Sequence, residues 1–449
     1  MSAWPSVRIS EIAARIVIGP FGSRMKADTY TATGVPVIRG TNLTDGKALG
    51  GDWVYVAEKT ADDLLSCNVK AGDLVFPHRG AIGEVGLVPS GFDRYMLSTS
   101  PMMLRSSPAV ANSEYLYYFF KSAAGRHELL KNASQVGTPG IGQPLTSLKS
   151  IEVPLPPLAT QTAIVFVLRL LDDKIELNRR IGQTLKAIAH AIFKSWFVDF
   201  EPVHAKANGE SAADIHKCLG LDPATQALFP ATFSAQGPEG WWPFTLKDFT
   251  TKIGSGATPC GGREVYIDEG TALIRSQNVY DSQFVWDGLV RITDDAARQL
   301  ANVMVQPGDV LLNITGASIL RTCVVPPSVL PARVNQHVAI IRAKPGVPPH
   351  YLHQHLLLAD TKAYLLGLNA GASREAVTKA HIESVPLLDP GPALLAAFET
   401  AVAPLFAQAQ VCADEALALG ELRDTLLPKL LSGELSAGES TNQRSAMIV

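Results

Sequence analysis

Two stretches decide how this chain is read: "KAGDLVFPHRGAIG" at residues 70–83 and "QPGDVLLNITGASI" at residues 306–319. Each holds a Gly-Asp, six intervening residues and a Gly-Ala, and they lie 236 residues apart. The offset extends well beyond one loop. "GVPVIRGTNL" (34–43) aligns without a gap on "GTALIRSQNV" (270–279), with four identities in ten. Residues 69–88 match 305–324 at six positions in twenty. Ten identities in thirty stand against about two expected from ordinary composition. "STSPMMLR" (98–105) faces "NQHVAIIR" (335–342), "VPLP" (153–156) faces "VPLL" (385–388), and Trp4-Pro5 faces Trp242-Pro243. The chain is a duplicated module.

Each module runs for about 150 residues through short apolar stretches punctuated by Gly, Pro and Asn, a pattern of strands and turns. "DLVFP", "VGLVP", "DVLLNIT" and "HVAIIRA" read as strands. Residues 113–133 read as a helix with Ser113 as a candidate N-cap, and residues 349–370 are its counterpart. Strands mixed with helices at this spacing predict an α+β domain.

A proline-marked boundary closes each module, and a long helical pattern follows. In the first helix Ile164, Leu168, Leu171, Ile175, Asn178, Ile181, Leu185, Ile188 and Ile192 recur at steps of three and four, a coiled-coil seam. Asn178 is either a register-fixing buried residue or a rim residue. The second helix repeats the pattern through Phe398, Val402, Leu405, Leu419, Leu422 and Leu426, with Pro404 predicting a kink or break. Each helix needs a partner for its apolar stripe. An antiparallel pairing of the two, related by a pseudo-two-fold axis, is the expected arrangement. The predicted organisation is a first domain over 1–155, a helix over 156–200 and a connector over 201–240, with a short helix or two draped over the surface. A second domain follows over 241–388, a second helix over 389–433 and a disordered tail over 434–449.

Of the 449 residues, 47% are hydrophobic and 18% charged, with a net charge of −3. This is an ordinary globular composition, large enough for two or three domains. It counts against a wholly basic nucleic-acid binder while leaving local patches open. The five cysteines are widely spaced with no Cys-x-x-Cys, which argues against a disulfide framework or a cysteine zinc site. No secretory pattern opens the chain and no run approaches 18 apolar residues, so a cytoplasmic protein without a membrane span is expected.

Residues 154–203, "PLPPLATQTAIVFVLRLLDDKIELNRRIGQTLKAIAHAIFKSWFVDFEPV", closely resemble the central conserved region of Type I restriction–modification specificity subunits. "LGELRDTLLPKLLSGEL" (419–435) resembles their C-terminal conserved region. "GPFGSRMK" (19–26) and the two Gly-Asp loops look like their target recognition domains. The resemblance covers nearly the whole chain. The stretch after Leu388 departs from it, lacking a polar start like "LATQ".

The resemblance implies a non-catalytic subunit that binds double-stranded DNA. Each recognition domain would read one half of a split, asymmetric site. The paired helices would set the spacing and dock two modification (methyltransferase) subunits, and restriction (translocase–nuclease) subunits would complete the complex. S-adenosylmethionine, ATP and Mg would then be held by partner subunits and no cofactor by this chain. Residues expected to pair the spacer helices are Ile164, Leu168, Leu171, Ile175, Asn178, Leu185, Ile192, Phe398, Leu405, Leu419 and Leu426.

The residues themselves offer little chemistry. No Asn-Pro-Pro-aromatic loop and no Gly-x-x-x-x-Gly-Lys-Ser/Thr phosphate loop occurs. "GTPGIGQP" (137–144) reads as a plain loop. His350, His353 and His355 lie close together without a neighbouring carboxylate or thiol in sequence, so satisfied histidines are the better reading than a metal site. "LDDK" (171–174) reads as a solvated charge run.

DNA contacts need Arg or Lys for phosphate and guanine, and Asn or Gln for adenine. Arg39 and Asn42 occupy the positions of Arg275 and Asn278, and matched residues should serve what the modules share. Base readers should differ. His78 and Arg79 face Ile314 and Thr315, Ser98 and Thr99 face Asn335, Gln336 and His337, and Gln277 faces Thr41. Asn313, in the second Gly-Asp loop, is a further candidate, and Arg24 and Lys26 are candidate phosphate contacts. Two other readings compete: a two-domain coiled-coil scaffold that never reads DNA, and a self-contained methyltransferase, which the missing motifs oppose.

Overall fold

The computed structural model of the protein describes residues 4–20, 25, 27–43, 49–134, 138–368 and 376–437. The chain divides into two compact units, one of Met1–Leu177 with Glu415–Val449, the other of Asn178–Asp414. The division therefore runs inside both long helices rather than at their ends.

In the first unit, the strand "LVFP" within "DLVFP" is apolar at every position because it is covered on two sides. Successive strand side chains face opposite ways. Leu74 and Phe76 enter one core with Met102 and Leu104, while Val75 enters another with Met103, Tyr95 and Leu97. The strand Leu74–Pro77 lies in an antiparallel sheet ordered Ala13–Ile18, Pro101–Ser106, Leu74–Pro77, Gly86–Leu87. Beside it is a five-stranded sheet ordered Tyr30–Thr31, Val54–Val56, Val35–Ile38, Tyr95–Leu97, Asn68–Val69. Its Val35–Ile38 and Tyr95–Leu97 strands run parallel. Ser6–Arg8 pairs with Glu152–Pro154 and ties the ends of the module together.

The second unit repeats this topology. Its four-stranded sheet is ordered Thr250–Ser255, Val338–Ala343, Val310–Asn313, Thr322–Val324. Its other sheet is ordered Tyr266–Ile267, Val290–Ile292, Thr271–Ile274, Ala332–Val334, with the last pair parallel. Trp242–Thr245 pairs with Pro386–Asp389. Val310 and Leu312 face one core and Leu311 the other, as in the first unit. The fold is α+β.

The helix read over 113–133 is two helices, Ser113–Lys121 and Ala123–Leu130. The cap is Asn112 and not Ser113, because the Asn112 side chain accepts from the amides of Glu114 and Tyr115. Ser122 adopts an extended backbone and caps the second helix by accepting from Gly125 N. The counterpart also breaks, into Pro349–Leu357 and Ala359–Gly367.

The long helices span Leu158–Phe197 and Pro392–Ser432. At 1.5 Å per residue each is about 60 Å long. The second runs as one helix through Pro404, so no break occurs there. They pair in both units. In the first, Arg423 Nη1 donates to Asp172 Oδ1 at 2.8 Å, and Lys174 lies 3.4 Å from Glu415. In the second, Gly182 lies against the Ala409 carbonyl and the rings of Phe193 and Phe398 are 5.9 Å apart. Later residues of one helix meet earlier residues of the other, so the pairing is antiparallel.

Ile164, Leu168, Ile175 and Asn178 are buried, and Leu171 is half-buried. Beyond Asn178 the expected seam is corrected by one position. Ile181 and Ile188 are exposed, while Gly182, Ala189 and Phe193 are buried and Leu185 and Ile192 half-buried. The packed positions recur seven apart (Leu168, Ile175, Gly182, Ala189 and Trp196), with Ile164, Leu171, Asn178, Leu185 and Ile192 interleaved, so the seam is a regular heptad. On the second helix Phe398 is buried, and Leu405, Leu419 and Leu426 are half-buried.

Residues 201–240 are not simply draped over the surface. They form helices Glu201–Ala207, Ala212–Leu219 and Pro223–Ala227. Val203, Ile215, Leu221 and Phe229 enter the core that holds Trp196 and Trp241. By length and composition alone the second long helix could cross a membrane. Its Leu394, Phe398 and Val402 are instead core residues of the second unit, and its Leu427, Leu430 and Leu431 core residues of the first.

Candidate nucleic-acid interface

The Gly-Asp pair that marks the repeat is a mounting device. Asp73 Oδ2 accepts from Lys70 N at 2.9 Å and Asp309 Oδ2 from Gln306 N at 2.7 Å, closing a turn before the strand. The same carboxylates take two hydrogen bonds each from the arginine near the end of a neighbouring strand, Arg105 and Arg342, all between 2.7 and 2.8 Å. The carboxylates are buried and salt-bridged, which compensates their loss of water. Sequence reasoning missed these pairs, although every partner lies in a quoted stretch.

A second mounting is also duplicated. Asn42 and Asn278 are fully buried. Each Oδ1 accepts from the amide three residues before it, that of Arg39 or Arg275. Each Nδ2 donates to two carbonyls, of Gly50 and Asp52 or of Val285 and Asp287. Arg39 Nη2 donates to Asp52 O at 2.7 Å and Arg275 Nη2 to Gly288 O at 2.6 Å. A third is a close approach. A Cβ on Gly19 would lie 1.7 Å from the Ser98 carbonyl oxygen, and one on Gly256 would lie 2.0 Å from that of Val334. Only glycine fits at either place.

These mountings carry loops that differ between the units. In the first, His78 is buried and its Nε2 donates to the Thr99 carbonyl at 3.2 Å. Burial pushes the His78 pKa below its ordinary value, so it stays neutral and occupied within the fold. Ser98 is buried, whereas Arg79 and Thr99 are exposed. Arg79 bridges to Gly140, in the "GTPGIGQP" stretch, as Thr315 bridges to Ala376 in the second unit. There, Asn313 is buried and its Nδ2 donates to the carbonyls of Ser276 and Val279 and to Ser318 Oγ. Asn335 is buried and accepts from His337 N. Gln277 and Gln336 are exposed, and Thr315 and His337 half-exposed. Arg24 and Lys26 lie outside the described residues.

The chain is similar to known proteins along most of its length. Residues 1–187 match the family model described as the Type I restriction modification DNA specificity domain. The Type I restriction enzyme HindI specificity subunit of Haemophilus influenzae is 25% identical over 436 residues, covering 88% of this chain and 94% of that one. The MjaIX specificity subunit of Methanocaldococcus jannaschii is 26% identical over 337 residues, 73% of this chain and 70% of that one. Among solved structures, the Type-I restriction-modification system S subunit of M. genitalium shares the fold over 96% of each chain, with a TM-score of 0.55 at 16% identity.

Along most of its length the chain is similar to Type I restriction specificity subunits.

In this chain the candidate DNA contacts fall into two groups. Asn42, Asn278, Asn313, Asn335, His78 and Ser98 are buried, and the hydrogen bonds above use their side chains or surroundings for the fold. Arg79, Thr99, Gln277, Gln336, Thr315 and His337 remain at or near the surface with polar atoms to offer, and Arg39 and Arg275 hold the loops beside them.

Among the described residues no group of three or more His, Cys, Asp or Glu side chains could hold a metal. His350 faces Glu399 at 3.1 Å and stacks on Phe406, while His353 lies in the core against the Thr322 carbonyl.

Proposed function

We propose that this chain is the DNA sequence-specificity subunit of a Type I restriction–modification complex. Each α+β unit would read one half of a bipartite, asymmetric site. The antiparallel helices would set the gap between the halves and dock two modification subunits carrying S-adenosylmethionine. Restriction subunits using ATP and Mg would complete the assembly. The chain itself would perform no chemistry.

One observation carries the reading: the same mountings in two units hold different side chains at or near the surface. Asp73 and Asp309, Asn42 and Asn278, and Gly19 and Gly256 are matched, whereas Arg79 stands where Thr315 stands, and Thr99 where Gln336 stands. Two copies of a frame with divergent tips suit two different half-sites. A protein-only scaffold would have no need to vary the tips and keep the frame.

The test is to map methylated bases in cells expressing this chain with a cognate modification subunit. The expected result is adenine methylation at a split motif with two unlike halves. Replacing residues 4–153 with another recognition domain should change one half only. A continuous motif, or none, would favour the scaffold.

A further inference from the structure

Gln336 sits at the tip of a tight turn in the second unit. Asn335 Oδ1 accepts from His337 N at 3.1 Å, and the Asn335 carbonyl accepts from Val338 N at 3.1 Å, so the backbone on either side is held. The side chain is held too. Thr258 Oγ1 donates to Gln336 Oε1, and Gln336 Nε2 meets His337 Nε2 at 3.1 Å. An amide nitrogen can only donate. His337 Nε2 is therefore the acceptor, and its ring proton lies on Nδ1, 2.6 Å from Thr315 Oγ1. The chain Thr258–Gln336–His337–Thr315 holds an exposed amide in one orientation. It leaves one amide N–H and one lone pair on Oε1 unused.

An oriented donor beside an oriented acceptor is the pattern that pairs with the major-groove edge of adenine, whose N7 accepts and whose N6 donates. A glutamine free to rotate would lose side-chain entropy on binding; this one is already placed. The equivalent position in the first unit is Thr99, beside exposed Arg79, a donor-only group suited to guanine. We propose that Gln336 reads an adenine in the half-site of the second unit, as a specificity-determining residue positioned by Thr258 and His337. This rests on the function proposed above.

The test compares the methylated motif of the wild-type complex with those of complexes carrying Gln336→Ala and Gln336→Glu. The expected result for Gln336→Ala is a fall of about tenfold or more in the preference for adenine at one position of one half-site, with the other half unchanged. The unchanged half shows that the chain still folds and assembles. Gln336→Glu can only accept, so the preference at that position should move towards cytosine, whose N4 donates. Relaxation at a G·C pair, in both halves or at no position overturns the inference while leaving the functional reading intact. Loss of all methylation in both variants also overturns it. A wild-type complex with no bipartite motif overturns the functional reading and this inference with it.

Discussion

Arg342 grips Asp309 with two hydrogen bonds, Nε to Oδ1 at 2.7 Å and Nη2 to Oδ2 at 2.8 Å. The carboxylate is fully buried and the arginine side chain half-buried, and Arg105 grips Asp73 in the same way. Removing one partner of such a pair leaves the other charge without its counter-ion. Asp309→Ala is expected to destabilise the second unit by about 3 kcal/mol, near the lower end for buried pairs because Arg342 retains some water contact. Faster hydrogen exchange across Val338–Ala343 should report it. Unchanged exchange there would mean that the pair contributes little. Asp309→Leu with Arg342→Met should recover much of the loss, since an apolar pair avoids the desolvation cost.

Asn278 is fully buried and makes three hydrogen bonds. Asn278→Ala strands the Arg275 amide and two carbonyls, and each unmet buried group costs about 1–3 kcal/mol. We expect a loss of about 3 kcal/mol, read from the denaturant midpoint, with the loss of protection concentrated between residues 275 and 288. Asn42→Ala should do the same between residues 39 and 52. A loss spread evenly over the unit would contradict a local mounting role.

The repeat made the α+β frame legible because strands covered on both faces, such as those in "DLVFP" and "DVLLN", carry unbroken apolar runs, "LVFP" and "VLL". The helix pair was legible from its three-four spacing. The helix break at Ser122 was hidden because Ser is tolerated inside helices as well as at caps. The seam beyond Asn178 was hidden because Ile181 and Ile188 sit one position away from Gly182 and Ala189, and small residues that allow close approach carry no hydrophobic signal. At the interface, residue type named the donors without saying whether folding had already used them. Asn313 and Gln336 look equally able to read a base until the burial of the first and the exposure of the second are known.

Asp172, read from sequence as a solvated charge, joins the helix Ser113–Lys121 to the helix pair within the first unit. Tyr118 Oη donates to its Oδ2 at 2.7 Å and Arg423 Nη1 to its Oδ1 at 2.8 Å. Hydrogen bonds to a charged group contribute about 1.5–3 kcal/mol. Tyr118→Phe should therefore cost about 2 kcal/mol in unfolding free energy. Tyr118 and Arg423 share one carboxylate, so Tyr118→Phe with Arg423→Ala should deviate from the sum of the single losses by at least about 0.5 kcal/mol. Strict additivity would show that Asp172 does not couple the two elements.

His353 gives the second unit a dependence on pH. Its ring is buried, Nε2 donates to the Thr322 carbonyl at 3.3 Å, and Nδ1 receives Gln354 Nε2 at 3.3 Å. Burial, more than any neighbouring charge, pushes its pKa from 6.5 down to about 3. A proton on Nδ1 would also displace the Gln354 contact. Between those two values the unfolded chain binds a proton that the folded chain refuses, so stability rises with pH across that window and falls on acidification. The slope for one such histidine is about 1.4 kcal/mol per pH unit. His355, lowered to about 4, adds in the same direction. Denaturant midpoints of the wild type and His353→Gln, taken at pH 7, 6 and 5, test this. The substitution should lower stability at pH 7 and make the decline from pH 6 to pH 5 shallower, leaving the share due to His355. Parallel declines in the two proteins would show that His353 does not carry the linkage.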